Sequence, residues 1–140
     1  MKNPELAIKK YVFDKIGPTL GDFEYCDYPP SANFVKDKYI WISTNLLGEN
    51  GTKAEFISTV NAEFTLITKE PNGYNSTLQL EEGKELLLEA LVDRGINTPF
   101  AGFNFLSINY SNSGIDFEVK GNTRISYSKI NLNFVVEQIS

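Results

Sequence analysis

Three glutamates, Glu81, Glu85 and Glu89, recur every four residues along one predicted helix and form the most regular carboxylate pattern in the chain. Residues four apart share a helix face, so these side chains could act as oxygen ligands for a metal ion. The same spacing is typical of a solvent-exposed acidic helix face, which needs no ligand. We interpret the three glutamates as such an exposed face and predict no metal site.

The residue types limit nucleophilic and metal-dependent chemistry further. The chain has one cysteine, Cys26, and no histidine. Serine or cysteine nucleophiles activated by histidine, histidine-ligated zinc and cysteine-rich zinc sites all need residues that this chain lacks. We interpret Cys26 as a small, buried strand residue, and we predict no catalytic residue and no cofactor.

The composition is typical of one acidic globular domain covering residues 1–140. Of the 140 residues, 41% are hydrophobic and 13% aromatic, which is enough apolar material for a core. The net charge of −5 argues against a free-standing nucleic-acid binder, because such affinity comes mainly from cationic contacts to phosphate. No run approaches the roughly 18 apolar residues of a membrane helix. Charges interrupt the first apolar residues, so we expect no signal peptide.

Helical periodicity predicts two helices. The first begins at Asn3-Pro4, a capping residue followed by proline, and ends at Gly17-Pro18. The second runs from about Leu78 to Arg94 and ends at Gly95. Its inward-facing residues are predicted to be Leu80, Leu87, Leu88 and Leu91.

Alternating hydrophobicity predicts strands around these helices. A short strand is expected at Phe23 to Tyr28, and another begins at Lys38. The clearest strand, Phe56 to Leu66, has its apolar residues at even positions, so one face is expected to be buried in the core and the other to be exposed to solvent. We expect Trp41 to pack against the even face of this strand.

The last third of the chain predicts a second antiparallel pair. One strand covers Phe103 to Tyr110, a short piece covers residues 115–120, and Gly121-Asn122 turns into a long final strand. The apolar residues of that strand change from odd to even positions, which predicts a one-residue bulge or a sharp bend near Ser128-Lys129. The expected fold class is α+β, with an antiparallel sheet of about four to five strands and two helices packed on one face.

Five segments follow one another in an order that covers nearly the whole chain: LAIKKYVFDKIG, YPPSANFVKDKYIWIS, FISTVNAEFTLITKE, LEEGKELLLEALVDRG and ISYSKINLNFVVEQ. In this order and pattern the chain resembles the tail terminator, or tail completion, proteins of long-tailed bacteriophages and related tail-like particles. The resemblance implies a structural virion protein without enzymatic activity. Such subunits form a ring of six at the head-proximal end of the tail tube, where they stop tube growth and offer a surface for head-tail joining.

The resemblance also implies the partners and the location. The partners would be further copies of the chain, the tail tube protein and the head-completion or connector protein. Genomic DNA would pass through the channel without specific binding, and no membrane would be involved. The protein would be assembled in the cytoplasm of the bacterial host and reside in the neck region of the virion tail.

Two segments expected to be loops, residues 44–53 and 111–122, are the candidate contacts with the tube or with neighbouring copies; ordinary solvent-exposed loops are the alternative interpretation. The candidate interface residues are Asn45, Leu46, Leu47, Glu49, Asn50, Lys53, Asn112, Asp116, Lys120 and Asn122.

Two other functions fit the sequence. One is a small cone-shaped α+β enzyme or ligand-binding domain, similar to the nuclear-transport-factor-like fold. It would work with residues such as Asp27, Asp116 or Tyr127 and would need a solvent-accessible cavity lined by acids. The other is a different phage connector or tube subunit.

Overall fold

Six strands in one sheet dominate the structure. The computed structural model describes residues 3–17, 20, 22–26, 37–51, 56–71 and 78–139. The elements in chain order are α1 (Pro4–Ile16), β1 (Glu24–Cys26), β2 (Lys38–Gly51), β3 (Phe56–Pro71), α2 (Leu78–Leu91), β4 (Asp93–Phe100), β5 (Phe103–Lys120) and β6 (Thr123–Gln138). Across the sheet the strands follow the order β1-β2-β3-β6-β5-β4.

The predicted fold class is wrong. The described residues form a six-stranded mixed sheet that curls into a half-barrel with two helices, where an antiparallel sheet of four to five strands with two helices on one face was expected. β1 runs parallel to β2, whereas the other neighbouring strands are antiparallel. The pattern of alternating residues identifies a strand but carries no information about its direction, so the parallel partner was not predictable from alternation.

One face of the sheet, which we call the core face, builds the main hydrophobic core with the two helices. It contains the even-numbered residues of β3 and β6, including the fully buried Phe64 and Phe134. The predicted first helix is confirmed: Asn3 Oδ1 accepts hydrogen bonds from the backbone N–H groups of Glu5 and Leu6, at 3.0 and 3.3 Å. In the part of the chain that is described, neither helix is long and apolar enough to cross a membrane.

The second helix packs tightly on the sheet. Its predicted inward leucines Leu80, Leu87 and Leu91 are buried, and Leu88 is half-buried. A Cβ atom added at Gly83 would lie 2.9 Å from Cζ of Phe23, so the absence of a side chain at Gly83 permits this close approach.

The opposite face of the sheet, which we call the outer face, carries a second, smaller hydrophobic cluster. Tyr39, Ile67 and Ile125 form this cluster, and Cys26 and Tyr127 pack against it. Because Ile125 is buried there, the change of parity in β6 needs no bulge, and the register between β3 and β6 is continuous. The bulge predicted near Ser128-Lys129 is therefore wrong.

The position expected for Trp41 is also wrong. Trp41 pairs with Thr65 of β3, so its side chain lies on the outer face, half-buried, and not on the even face of β3. Its neighbours Ile40 and Ile42 occupy the core face instead. A strand that is apolar on both faces does not indicate which set of residues faces the larger core.

The region after α2 differs most from expectation. The helix ends at Leu91, and the predicted cap and turn around Gly95 form β4. Pro99 is compatible with this strand because β4 lies at the edge of the sheet. Residues 103–120 form one continuous strand of 18 residues rather than two pieces. Bulges between Phe105 and Ser107 and between Tyr110 and Asn112 accommodate its polar middle section.

Candidate assembly surfaces

The outer edge of β5 is open over its second half. β4 pairs with β5 only from Phe103 to Ile108, and no described strand lies beside residues 109–120, which we call the β5 free edge. Three apolar side chains alternate along it and are largely exposed: Ile115 (46%), Phe117 (64%) and Val119 (52%). A long exposed strand edge with apolar side chains is a template for pairing with another chain.

The opposite edge of the sheet is open in the same way. β1 pairs with β2 only from Tyr39 to Trp41, and within the described ranges no strand lies beside residues 42–51, which we call the β2 free edge. Leu46 and Leu47 on this edge are 40% and 56% exposed. A bulge between Leu46 and Gly48 interrupts the register with β3.

Leu46 on the β2 free edge and the three apolar residues of the β5 free edge belong to the core face. Leu46 pairs with Val60, which is a core residue, and Ile115 pairs with Ser128, which lies between core-face residues of β6. Phe117 and Val119 follow Ile115 on the same face, because successive side chains of a strand alternate. Alternation in the sequence identifies the strand and its apolar face, but it does not indicate that Ile115, Phe117 and Val119 are exposed.

The candidate interface residues fall into two groups at opposite edges of the sheet, and a single chain does not bring them together. Asn45, Leu46 and Leu47 are exposed on β2, and the backbones of Glu49 and Asn50 continue that strand. Asn112 and Asp116 are exposed on β5, Lys120 ends β5, and Asn122 lies in the following turn. Lys53 lies outside the described residues. The expectation that these segments are loops is wrong for residues 44–51 and 111–114, which are strand, and residues 115–120 belong to β5, in agreement with the short strand piece predicted there.

Asparagine side chains line up across the outer face. The register places Asn45 beside Asn61, Asn61 beside Asn133, and Asn133 beside Asn109, so the row crosses four strands. Asn61 Nδ2 donates to Asn133 Oδ1 at 3.1 Å. In the next row Asn131 Nδ2 donates to Asn112 Oδ1 at 2.7 Å. The first row is therefore polar and uncharged, with amide groups that both donate and accept hydrogen bonds, whereas Glu63, beside Asn131, adds a carboxylate to the second row.

A buried polar cluster joins β3 to β6 on the core face. Glu70 Oε2 lies 3.4 Å from Arg124 Nε and accepts a hydrogen bond from Ser126 Oγ at 3.2 Å. Thr68 Oγ1 donates to the other carboxylate oxygen of Glu70 at 2.6 Å. The side chains of Glu70 and Arg124 are only 5% and 14% exposed. Arg124 pairs with Val119, so the cluster lies directly beside the β5 free edge.

The residues considered for an enzyme do not form an enclosed acidic site in the described structure. Asp116 is exposed and stands beside Tyr127 on the outer face, and Asp27 lies outside the described residues. Tyr127 donates a hydrogen bond to Glu118 Oε1 at 2.9 Å. Burial, followed by the hydrogen bond and the nearby negative charge of Glu118, raises the pKa of Tyr127 to about 12.

The acidic face of α2 is exposed, as predicted. Glu81, Glu85 and Glu89 border an open groove together with Leu78 and Lys84. Lys84 Nζ donates to Ser113 Oγ at 2.8 Å and lies 5.7 Å from the ring centre of Tyr110. Among the described residues, no three or more histidines, cysteines or acids are grouped as a metal site would require. Lys84 thus joins α2 to the middle of β5.

Comparison with known proteins gives a likeness of fold. No protein-family model matches the chain, and no curated protein matches it in sequence. The chain is similar to a solved chain from the virion of a native gene transfer agent (GTA) particle, with a TM-score of 0.71 and 12% sequence identity. The match covers 98% of this chain and 99% of that chain. The two proteins therefore share one fold over their whole lengths.

Proposed function

We propose that the protein is a structural component of a phage or phage-like virion that forms a ring of about six copies, in which heterologous contacts close by rotation. The ring caps the head-proximal end of the tail tube, stops tube growth and provides the surface for head-tail joining. The likeness of fold, end to end, to a chain from a gene transfer agent virion carries this proposal.

The surface chemistry supports an assembly role over catalysis. The chain has no histidine, and its exposed apolar residues are concentrated on strand edges and helix surfaces. Exposed apolar residues on open strand edges are typical of surfaces that another protein covers. We therefore assign the protein a structural role without enzymatic activity.

The candidate interface residues follow from this function. Asn45, Leu46, Leu47, Glu49, Asn50 and Lys53 form one contact group, and Asn112, Asp116, Lys120 and Asn122 form the other; both groups contact the tube or neighbouring copies. The net charge of −5 favours passage of DNA through the ring, because an acidic lining repels phosphate. The protein acts in the neck of the virion after assembly in the host cytoplasm.

Deletion of the gene from the genome that carries it, followed by electron microscopy of the lysate, tests this function. We expect tails of uncontrolled length that are not attached to filled heads. Expression of the intact gene in trans is the control and must restore whole particles. Normal tails on intact particles in the deletion strain would overturn the proposal.

A further inference from the structure

We propose that neighbouring copies join edge to edge, with the β5 free edge of one copy pairing antiparallel with the β2 free edge of the next. The partner is thus a second copy of this chain, and the sheet continues from copy to copy. This inference rests on the proposed function, because it specifies how the ring closes.

The strand directions allow this pairing. β2, β3, β6 and β5 are neighbours in that order, and each pair is antiparallel. β2 and β5 therefore run in opposite directions within one copy. When copies are related by rotation about a ring axis, β5 of one copy meets β2 of the next in antiparallel orientation, which forms an ordinary ladder.

The two free edges are also similar in length, with twelve residues on β5 and ten on β2, and the short flanking strands mark their ends. The β5 free edge begins where β4 stops, after Ile108, and the β2 free edge begins where β1 stops, after Trp41. In an antiparallel pairing β4 lies beyond the Gly51 end of the neighbouring β2. β1 of the neighbour ends level with Lys120, because pairing of Ile115 with Leu46 brings Lys120 beside Trp41, the last β2 residue that pairs with β1. Neither short strand competes for the pairing of β5 residues 110–119.

The side chains restrict the register. Opposite residues in a ladder share a face, so the core-face residues of β5 must face those of β2. Pairing Ile115 with Leu46 satisfies this condition and places Val119 opposite Ile42. The exposed side chains of Ile115 and Leu46 then cover one another on the core face, and Phe117 lies opposite Thr44. This contact removes apolar surface from water, which stabilises the joint.

The pairing displaces each copy along the strand direction relative to its neighbour. It brings together Leu46 and Ile115, which lie far apart within one chain. Leu46 is level with Val60, Phe134 and Ile108 across a single sheet. Pairing Leu46 with Ile115 of a neighbour therefore shifts successive copies by seven residues, about 23 Å along the strands. Within one chain, Leu46 and Ile115 are about 23 Å apart along the strands and, across three strand spacings, about 14 Å apart in the perpendicular direction. No intramolecular disulfide can therefore join cysteines at these two positions.

Cysteine cross-linking tests the pairing. In a Cys26→Ser background, the pair Leu46→Cys with Ile115→Cys is introduced into the gene that complements the deletion, and purified particles are oxidised. Facing residues of a ladder have Cβ atoms about 4.5–5.5 Å apart, near the reach of a disulfide. We expect a ladder of covalent multimers in non-reducing gels. A second pair, Leu46→Cys with Phe117→Cys, covers a register shifted by two residues.

Matched controls separate the possible outcomes. Leu46→Cys with Asp116→Cys places the second thiol on the opposite face, and this pair should remain monomeric. The two core-face pairs are Leu46→Cys with Ile115→Cys and Leu46→Cys with Phe117→Cys. Multimers formed by either core-face pair support the inference. Monomers with both core-face pairs, in particles that contain the protein, would overturn the pairing and leave the proposed function intact. Dimers from Ile115→Cys alone would also overturn it, because they indicate a twofold contact between two β5 edges.

The proposed function can fail separately. If the protein is absent from the particles, the proposed function is wrong, and oxidation of the concentrated purified variants decides the pairing instead. Multimers formed by the core-face pairs then support the edge contact between copies, and their absence overturns it. A charge at the joint provides a second measurement: Phe117→Lys should abolish multimer formation, whereas Leu78→Lys, on an α2 side chain of similar exposure (59%), should not.

Discussion

Substitution of Arg124 by methionine should destabilise the fold strongly, because it leaves the Glu70 carboxylate buried without its cation. The Glu70 side chain is 5% exposed, and Arg124 is its salt-bridge partner at 3.4 Å. Methionine retains much of the length and apolar volume of arginine, so Arg124→Met mainly removes charge and hydrogen-bond donors.

Removing one partner of a buried ion pair costs about 3–5 kcal/mol. We expect the lower end, about 3 kcal/mol, because the hydroxyl groups of Thr68 and Ser126 still donate hydrogen bonds to the carboxylate. This loss is a large part of the roughly 5–15 kcal/mol that stabilises a typical domain. It corresponds to a decrease in Tm of roughly 10 °C for a chain of this size.

Urea unfolding followed by the fluorescence of Trp41, the single tryptophan, measures the effect. The double variant Arg124→Met with Glu70→Gln should recover more than half of the loss, since a neutral amide needs no counter-charge, its oxygen accepts a hydrogen bond from one of the two hydroxyl groups, and its NH2 group donates to the other. A loss below about 1 kcal/mol for the single variant, or no recovery in the double variant, would refute the reasoning.

Three further changes have expected outcomes. Phe134→Ala removes a fully buried ring that makes an edge contact with Phe105, so the free energy of unfolding should fall by about 3–5 kcal/mol in urea titrations; Val135→Ala, a half-buried control on the outer face, should cost much less. Asn3→Ala should lower stability by about 1 kcal/mol in the same assay, because the N-cap bonds of α1 are lost, whereas Asn3→Asp should preserve it. The folded-state pKa of Tyr127, about 12, lies above its ordinary value of 10.0, so its contribution to stability is complete below pH 10.0 and is lost as the pH rises through about 12. Glu118→Gln should lower this pKa in ultraviolet titrations of the tyrosine. An unchanged titration would contradict the role of Glu118.

The helices and the central strands could be predicted from the sequence because their periodicity is strong. Asn3 and Gly17 bracket α1, and the alternation of β3 identifies the core face through Phe64 and Leu66. These features depend on local sequence and on the burial of one side of each element.

The edges of the sheet were harder to predict, and they contain the candidate contacts. Gly95 and Pro99 are typical of a helix end and a turn, yet they belong to an edge strand, where a proline or an unpaired N–H is tolerated. The polar segment from Ser111 to Gly114 suggested a break, but β6 supplies a pairing partner that no local pattern reveals. The exposure of Ile115 and Phe117 could not be predicted, because alternation indicates a face and does not say whether anything covers it.

The central claim is that copies of this chain close into a ring through their sheet edges at the head-proximal end of a tail tube. Reconstruction of the purified particle by electron microscopy tests it most directly. We expect a closed ring of this fold at that end of the tube, with β5 of each copy beside β2 of the next. A particle without this fold, or with its copies at another position or with unpaired β5 edges, would contradict the claim.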